Sequence, residues 1–139
     1  MGSPYTYEGL LVDCKPDNRH GSMIVAASTA LLGGRIVKDN GSGALIYAGA
    51  TDYGVAGVLN NDVDNSAVAA VTSRPTAYTW FGWVRLVASG AISAGAQIAC
   101  DANGKVAALG AGAANLKIGR AITAAANDGD VIEAFINVI

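Results

Sequence analysis

Short apolar runs separated by turn residues follow one another along most of this chain. They lie at residues 35–38, 44–47, 55–59, 67–71, 80–88, 97–100, 105–109, 117–122 and 131–138. In the last run, apolar residues at 132, 134, 136 and 138 alternate with a mixed set at 131, 133, 135 and 137. This period of two is typical of a strand that buries one face. The pattern therefore predicts an all-β protein.

The residues between these runs indicate antiparallel hairpins. Asp39, Asn40 and Gly41 separate the first two runs, and residues 101–104 separate another pair. Asn and Gly tolerate positive φ, which tight hairpin turns require. The spacing of strands and turns predicts a small barrel or sandwich of short antiparallel strands.

A weak internal similarity suggests two related β units. Gly33 matches Gly95 and Gly57 matches Gly119 when the chain is shifted by 62 residues. The order of strands and turns predicts half-repeats at 33–73 and 95–139 within a single β domain at 22–139. The alternative is that a sequence rich in Gly and Ala matches itself by chance.

Residues 1–21 are predicted to form an extended N-terminal arm and a loop. Pro4 disfavours a helix, and Tyr5 and Tyr7 fall on one side of an extended chain, so that face could dock on a partner. A frayed terminus is the alternative. Residues 23–32 are apolar on every face, so a strand and one short helix both remain open there.

The composition indicates a surface that is poor in charge. Charged residues make up 14% and hydrophobic residues 52%, with a net charge of −2, whereas an ordinary domain is about a quarter charged. Such a chain exposes small residues or covers part of its surface against partners. The charge favours no nucleic-acid partner, and neither a membrane span nor a signal peptide is expected. Cys14 and Cys100 are interpreted as free thiols, although their pairing stays open.

Groups that carry catalysis or bind metals are scarce. His20 is the only histidine, and no Gly-x-Ser-x-Gly motif accompanies it. The acidic turns at 62–65 and 127–130 offer oxygen ligands, but neither has the pattern of an EF-hand, and Asx turn chemistry explains both. We therefore expect no enzyme activity, no cofactor and no metal.

The one concentration of aromatic residues is predicted to form an interface. On a strand, Tyr78 and Trp80 would share one face, and Phe81 and Trp83 the other. One face would be core and the other a subunit interface, where aromatic residues are enriched. Cover by the protein's own N-terminal segment is an equal alternative, and an aromatic platform for a sugar is a weaker one.

Four pieces of the C-terminal half occur in an order found in a known family. They are a Gly-Ala-Ile-Ser-Ala-Gly turn at 90–95, an Asp-x-x-Gly-Lys hairpin at 101–105, Ile-Gly-Arg-Ala at 118–121 and Asp-Gly-Asp at 128–130. From about residue 80 to 139, the chain resembles the capsid decoration proteins of tailed bacteriophages, also called cement or head-stabilising proteins. Residues 53–59 are similar to a segment of lambda-type head-stabilising proteins.

This resemblance implies a structural protein of the virion. It implies a homotrimer on the outer capsid surface that binds the major capsid protein, stabilises the shell across subunit junctions and has no active site. One alternative is a virion fibre or adhesin module that binds host glycans, with Trp80 and Trp83 as contacts. A small hydrolase is a further alternative, which the scarcity of catalytic residues disfavours.

Overall fold

The computed structural model describes residues 18–52, 54–65, 76–110 and 117–138. Eleven strands and one 3₁₀ turn, at Ala102–Gly104, lie in this part of the chain, so the prediction of an all-β fold is confirmed. The strands are β1 Arg19–Val25, β2 Thr29–Leu31, β3 Ile36–Asp39, β4 Ala44–Tyr47, β5 Val55–Leu59, β6 Val63–Asn65, β7 Thr76–Val87, β8 Gln97–Cys100, β9 Val106–Ala108, β10 Lys117–Ala121 and β11 Val131–Asn137.

Five strands close into a small barrel, which we call unit 1. Its order is β1-β4-β3-β5-β7, and β1 pairs again with the N-terminal half of β7. The β1–β4 pair is parallel, while the other pairs are antiparallel. The short pair β2–β6 forms a separate sheet. The core of this unit contains Val25, Leu31, Val37, Leu45 and Leu59.

The C-terminal half of β7 begins a second group of five strands, unit 2. Its order is β7-β11-β10-β8-β9, and a parallel bridge from Ala88 to Val106 links the last strand back to the end of β7. Its core includes Leu86, Ile98, Ile132 and Ile136. The predicted alternation in β11 is confirmed, because residues 132, 134 and 136 are buried.

The two units use the same pairing registers. In unit 1, β3 forms a hairpin with β4 and also pairs with β5; in unit 2, β8 forms a hairpin with β9 and also pairs with β10. The β3–β5 and β8–β10 pairings each contain a register shift at the equivalent position. The equivalent antiparallel pairs are Val37–Tyr47 and Ile98–Ala108, Val37–Gly57 and Ile98–Gly119, and His20–Thr79 and Trp83–Phe135. The parallel pair Val25–Leu45 likewise matches Ala88–Val106. The strand arrangement is therefore repeated.

Equivalent glycines allow a close approach in both units. A Cβ atom at Gly57 would collide with the carbonyl oxygen of Thr79, and one at Gly119 with the carbonyl oxygen of Phe135. Glycine is needed at these two positions because only a residue without a side chain lets the neighbouring backbone come so near.

The units differ on the face that joins them. Ile36 and Val58, which pair across β3 and β5, pack into the core of unit 2. The equivalent pair in unit 2 is Gln97 and Arg120, and both side chains are exposed. Unit 1 therefore packs on unit 2 through an apolar pair, and unit 2 has a polar pair at the equivalent positions.

Two expectations for the N-terminal part change. Strands β1 and β2 cover most of residues 23–32, where the sequence left a short helix open, because pairing with β4, β6 and β7 decides the conformation. Residues 19–21, assigned to the arm and loop, belong to β1. The arm itself and the run at 67–71 lie outside the described residues. The domain boundaries and half-repeats remain predictions.

Carboxylates hold two of the loops. Asp52 accepts from Lys38 Nζ at 2.6 Å and from the Gly49 amide at 2.7 Å, and these bonds lower the pKa of Asp52 below its ordinary 3.8. Asp130 accepts from the amides of Ala126 and Asn127, both at 2.9 Å, which lowers its pKa too. Asp130 thus bonds to nearby backbone N–H groups, but these groups precede it, whereas an Asx turn bonds to the N–H two residues ahead. In the other acidic segment, interpreted as a turn at 62–65, residues 63–65 form strand β6 and Asp62 bonds to the distant Gly33.

The glycine contacts predict a position-specific loss of stability. We expect Gly57→Ala and Gly119→Ala each to lower the free energy of unfolding by about 1–3 kcal/mol, because the added methyl group must displace backbone. Gly54→Ala is the matched control, since a Cβ atom there meets nothing within 4 Å. Urea unfolding followed by circular dichroism measures the difference. Equal stability of the three variants would contradict this account of the close approach.

The Lys38–Asp52 pair predicts acid sensitivity. Because the pKa of Asp52 is lowered in the folded state, its stabilisation is present above pH 3.8 and is lost as the pH falls through the folded value. We expect Asp52→Asn to be less stable than the unchanged protein at neutral pH and to lose less of its stability when the pH is lowered. Lys38→Met should behave in the same way. Thermal unfolding across this pH range measures both. An unchanged acid dependence in Asp52→Asn would contradict the assignment.

Candidate functional site

An aromatic cluster lies where β7 meets β11. Trp83 is directly opposite Phe135, and the rings of Phe81 and Phe135 meet edge to face with centroids 5.3 Å apart. Trp80 meets Phe81 in the same manner at 6.4 Å. The Arg19 guanidinium lies about 6 Å from the ring centroids of Trp80 and Phe81, within cation–π range. We call Arg19, Phe81, Trp83 and Phe135 the aromatic face. Trp80 lies on the other side of β7, where it lines a pocket with Ala56, Tyr78 and Val138.

The predicted aromatic residues separate by burial. Tyr78 packs against the core of unit 1, and Gly21 beside it has no room for a Cβ atom because of the Tyr78 ring. Trp80 is half-buried, whereas Trp83 is 38% exposed. An interface role for Tyr78, Trp80, Phe81 and Trp83 stays a prediction. The residues Pro4, Tyr5 and Tyr7, also predicted as contacts, lie outside the described residues.

A groove of about 450 Å³ lies at the junction of the two units. The C-terminal half of β7 forms one wall, and the ends of β1 and β5 form the other. We call it the junction groove. Its lining includes His20, Asn60, Asp62, Thr79, Trp83 and Arg85.

One end of the groove is closed by Asn18. Its carboxamide donates to the Trp83 carbonyl and accepts from the Trp83 amide, both at 2.9 Å, in the way that a neighbouring strand would. Gly82 makes room for this side chain, since a Cβ atom there would collide with Asn18. Further along β7, the Val87 amide donates to the Gly34 carbonyl at 3.1 Å. These contacts protect an edge that is otherwise open to another strand.

A polar network forms the unit 1 wall of the groove. The Thr79 hydroxyl, on a residue only 2% exposed, donates to Asn60 Oδ1 at 2.8 Å and lies 3.0 Å from His20 Nδ1. The sequence pattern indicated no role for His20, Asn60 or Thr79. No local signal could have found this network, because His20 is in β1, Asn60 follows β5 and Thr79 is in β7, up to 59 positions apart.

The described residues show little that favours catalysis. The polar contacts of His20 are to Thr79 and Asn60, and burial raises the pKa of the Cys100 thiol to about 12, so Cys100 is a poor nucleophile at neutral pH. Within the described ranges, no three His, Cys, Asp or Glu residues are grouped to hold a metal ion. In the same ranges, no helix is long and apolar enough to cross a membrane. A non-enzymatic role stays a prediction.

Comparison with known proteins identifies a shared fold. No protein-family model matches the chain. No curated protein matches it either. Among solved structures, the chain is similar to the N base of the head fibre gp8.5 of bacteriophage phi29, with a TM-score of 0.61 and 14% identity. The match covers 86% of this chain and 96% of that chain. At this identity the likeness establishes the fold alone.

The two tryptophans are predicted to respond differently to truncation. Truncating a buried aromatic residue to Ala lowers the free energy of unfolding by about 3–5 kcal/mol. We expect Trp80→Ala to cause a large part of this loss. Trp83→Ala should cost less, because its ring is more exposed. Urea unfolding measures both. A loss for Trp83→Ala equal to that for Trp80→Ala would show that Trp83 is simply part of the core.

Proposed function

We propose that this chain is a structural virion protein that binds the outer surface of a tailed-phage capsid and stabilises the shell across subunit junctions. The observation that carries the proposal is the fold, which is shared over nearly its whole length with the base of a phage head fibre. The order of motifs in residues 80–139 supports the finer assignment as a decoration protein. In this proposal the partners are the major capsid protein and two further copies of the chain, with no nucleic acid, membrane or cofactor involved.

The aromatic face supports a protein contact of this kind. Trp, Phe and Arg are enriched in the buried centre of protein interfaces. Val131, on the same strand as Phe135, is 61% exposed and extends the apolar surface. A decoration protein gains its effect from many copies, each of which adds buried area at a junction between capsid subunits.

A fibre or adhesin module that binds host glycans is the second candidate function. It is supported by the fibre base with which the fold is shared. In that case Trp83, the more exposed of the two tryptophans predicted as glycan contacts, would contact the glycan.

Binding to capsids that lack the protein tests the first proposal. We expect the purified chain to co-sediment with such capsids and to raise the temperature at which they release DNA. A variant without residues 2–7 should remain folded and bind much more weakly, because the arm is proposed to contact the shell. Phe135→Ala should also bind more weakly, since it removes the centre of the aromatic face.

The matched control is Ser42→Ala, which changes an exposed residue in the turn between β3 and β4. Sedimentation of each variant alone reports the oligomeric state. Absence of the full chain from the capsid pellet would refute the capsid role. Unchanged binding of the truncated chain would refute only the contact made by the arm.

A further inference from the structure

We propose that the junction groove is a carbohydrate-binding site for one or two sugar rings. In this assignment Trp83 packs against the apolar face of a sugar, while His20, Asp62 and Arg85 form hydrogen bonds with its hydroxyl groups. The site goes beyond the proposed capsid role and does not depend on it.

The groove has the size and support that a ligand site needs. Its volume of about 450 Å³ falls within the roughly 300–1,000 Å³ of small-molecule sites. His20, Trp83 and Arg85 project from β1 and β7, strands that belong to the paired sheet rather than to loops. Side chains held on such elements keep their geometry before a ligand arrives.

The repeated strand arrangement offers an internal comparison. The pair His20–Thr79 in unit 1 occupies the position of Trp83–Phe135 in unit 2. Two large aromatic side chains in one unit are thus replaced by a hydrogen-bonding pair in the other. His20, Thr79 and Trp83 line the groove and Phe135 does not, so the groove combines the polar pair with one aromatic ring.

The network fixes how His20 meets a ligand. The Thr79 hydroxyl donates to Asn60 Oδ1 at 2.8 Å, and its oxygen lies 3.0 Å from His20 Nδ1, while Asn60 Nδ2 lies 3.4 Å from the same ring nitrogen. Nε2 is the ring nitrogen left for a ligand, and it donates or accepts according to the tautomer. Thr79 is buried and cannot turn to solvent without losing its partners, so the imidazole is held in advance and less entropy is lost on binding.

Two further side chains supply unused hydrogen-bonding capacity. Asp62 accepts from the Gly33 amide through Oδ1 at 2.8 Å, and its Oδ2 has no hydrogen-bond partner among the described residues. Arg85 is exposed, lies opposite Glu133 on β11 without a salt bridge to it, and offers up to five donors. Acceptors and donors therefore face the same space.

This combination matches a sugar better than an anion or an apolar ligand. Each hydroxyl group both donates and accepts, so it can bond to Asp62 and Arg85 together. The Asp62 carboxylate would repel a phosphate or carboxylate ligand. An apolar ligand would cover Asp62 Oδ2 and the Arg85 guanidinium without giving them hydrogen-bond partners, which costs free energy.

Nuclear magnetic resonance titration tests the site with defined probes. The probes are the methyl glycosides of glucose, galactose and N-acetylglucosamine, and the disaccharide of N-acetylglucosamine. With at least one of them we expect saturable shifts of the Trp83 indole N–H and the Arg85 amide signals, with a Kd in the millimolar range. No shift with any probe would overturn the proposal.

Variants separate this site from the aromatic face. Asp62→Asn keeps the oxygen that accepts from Gly33 but removes the negative charge, and we expect it to weaken sugar binding by about tenfold or more. Arg85→Gln and Trp83→Leu should weaken it similarly. Trp80→Leu and Arg120→Gln are the controls and should bind the sugar normally, with thermal unfolding used to show that each variant is folded.

The capsid assay makes the two proposals distinguishable. Asp62→Asn should co-sediment with capsids as the unchanged chain does, because Asp62 is outside the aromatic face. Equal loss of sugar binding in the control variants would overturn the groove assignment. Loss of capsid binding in Asp62→Asn, together with no response to sugars, would show that the groove contacts capsid protein instead.

Discussion

The backbone hydrogen bonds of one twelve-residue strand hold both units of this protein together. The N-terminal half of β7 pairs with β1 and β5, and its C-terminal half pairs with β11. Because a strand with neighbours on both halves cannot bend freely without breaking paired N–H and C=O groups, the two units cannot move as if joined by a linker. The junction groove follows from this constraint, since it lies along the part of β7 where one set of neighbours ends and the other begins.

Repetition of the strand arrangement has not produced two interchangeable units. Ile36 and Val58 bury an apolar pair against unit 2, whereas Gln97 and Arg120 keep the equivalent face polar. Repeat proteins use polar outer faces in this way where stacking stops. The groove has a similar origin. The position that Trp83 occupies in unit 2 is occupied by His20 in unit 1, and the strand pairing is the same in both.

Local sequence signals were sufficient for the hairpins and not for the site. Gly41 and Gly104 mark real turns, and alternation in β11 identifies its buried face, since these features depend on neighbours in sequence. Strand β1 could not be predicted from local sequence, because its conformation is set by β4 and β7, which are distant in sequence. The groove could not be predicted either, because its residues are distant in sequence. His20 and Thr79 meet only once the barrel closes, and Asn18 reaches Trp83 across 65 positions.

Trp83 links the two surfaces that the proposals describe. It lies opposite Phe135 in the aromatic face and also lines the junction groove. A partner that buries the whole aromatic face would therefore restrict the groove on its Trp83 side and leave it open toward Asp62. Any change that one ligand makes in the affinity for the other must be reciprocal. The factor by which capsid binding changes the affinity for a sugar should therefore equal the factor by which the sugar changes the affinity for the capsid. Trp83 alone, as a side chain shared by the aromatic face and the groove, is sufficient to couple the two binding events.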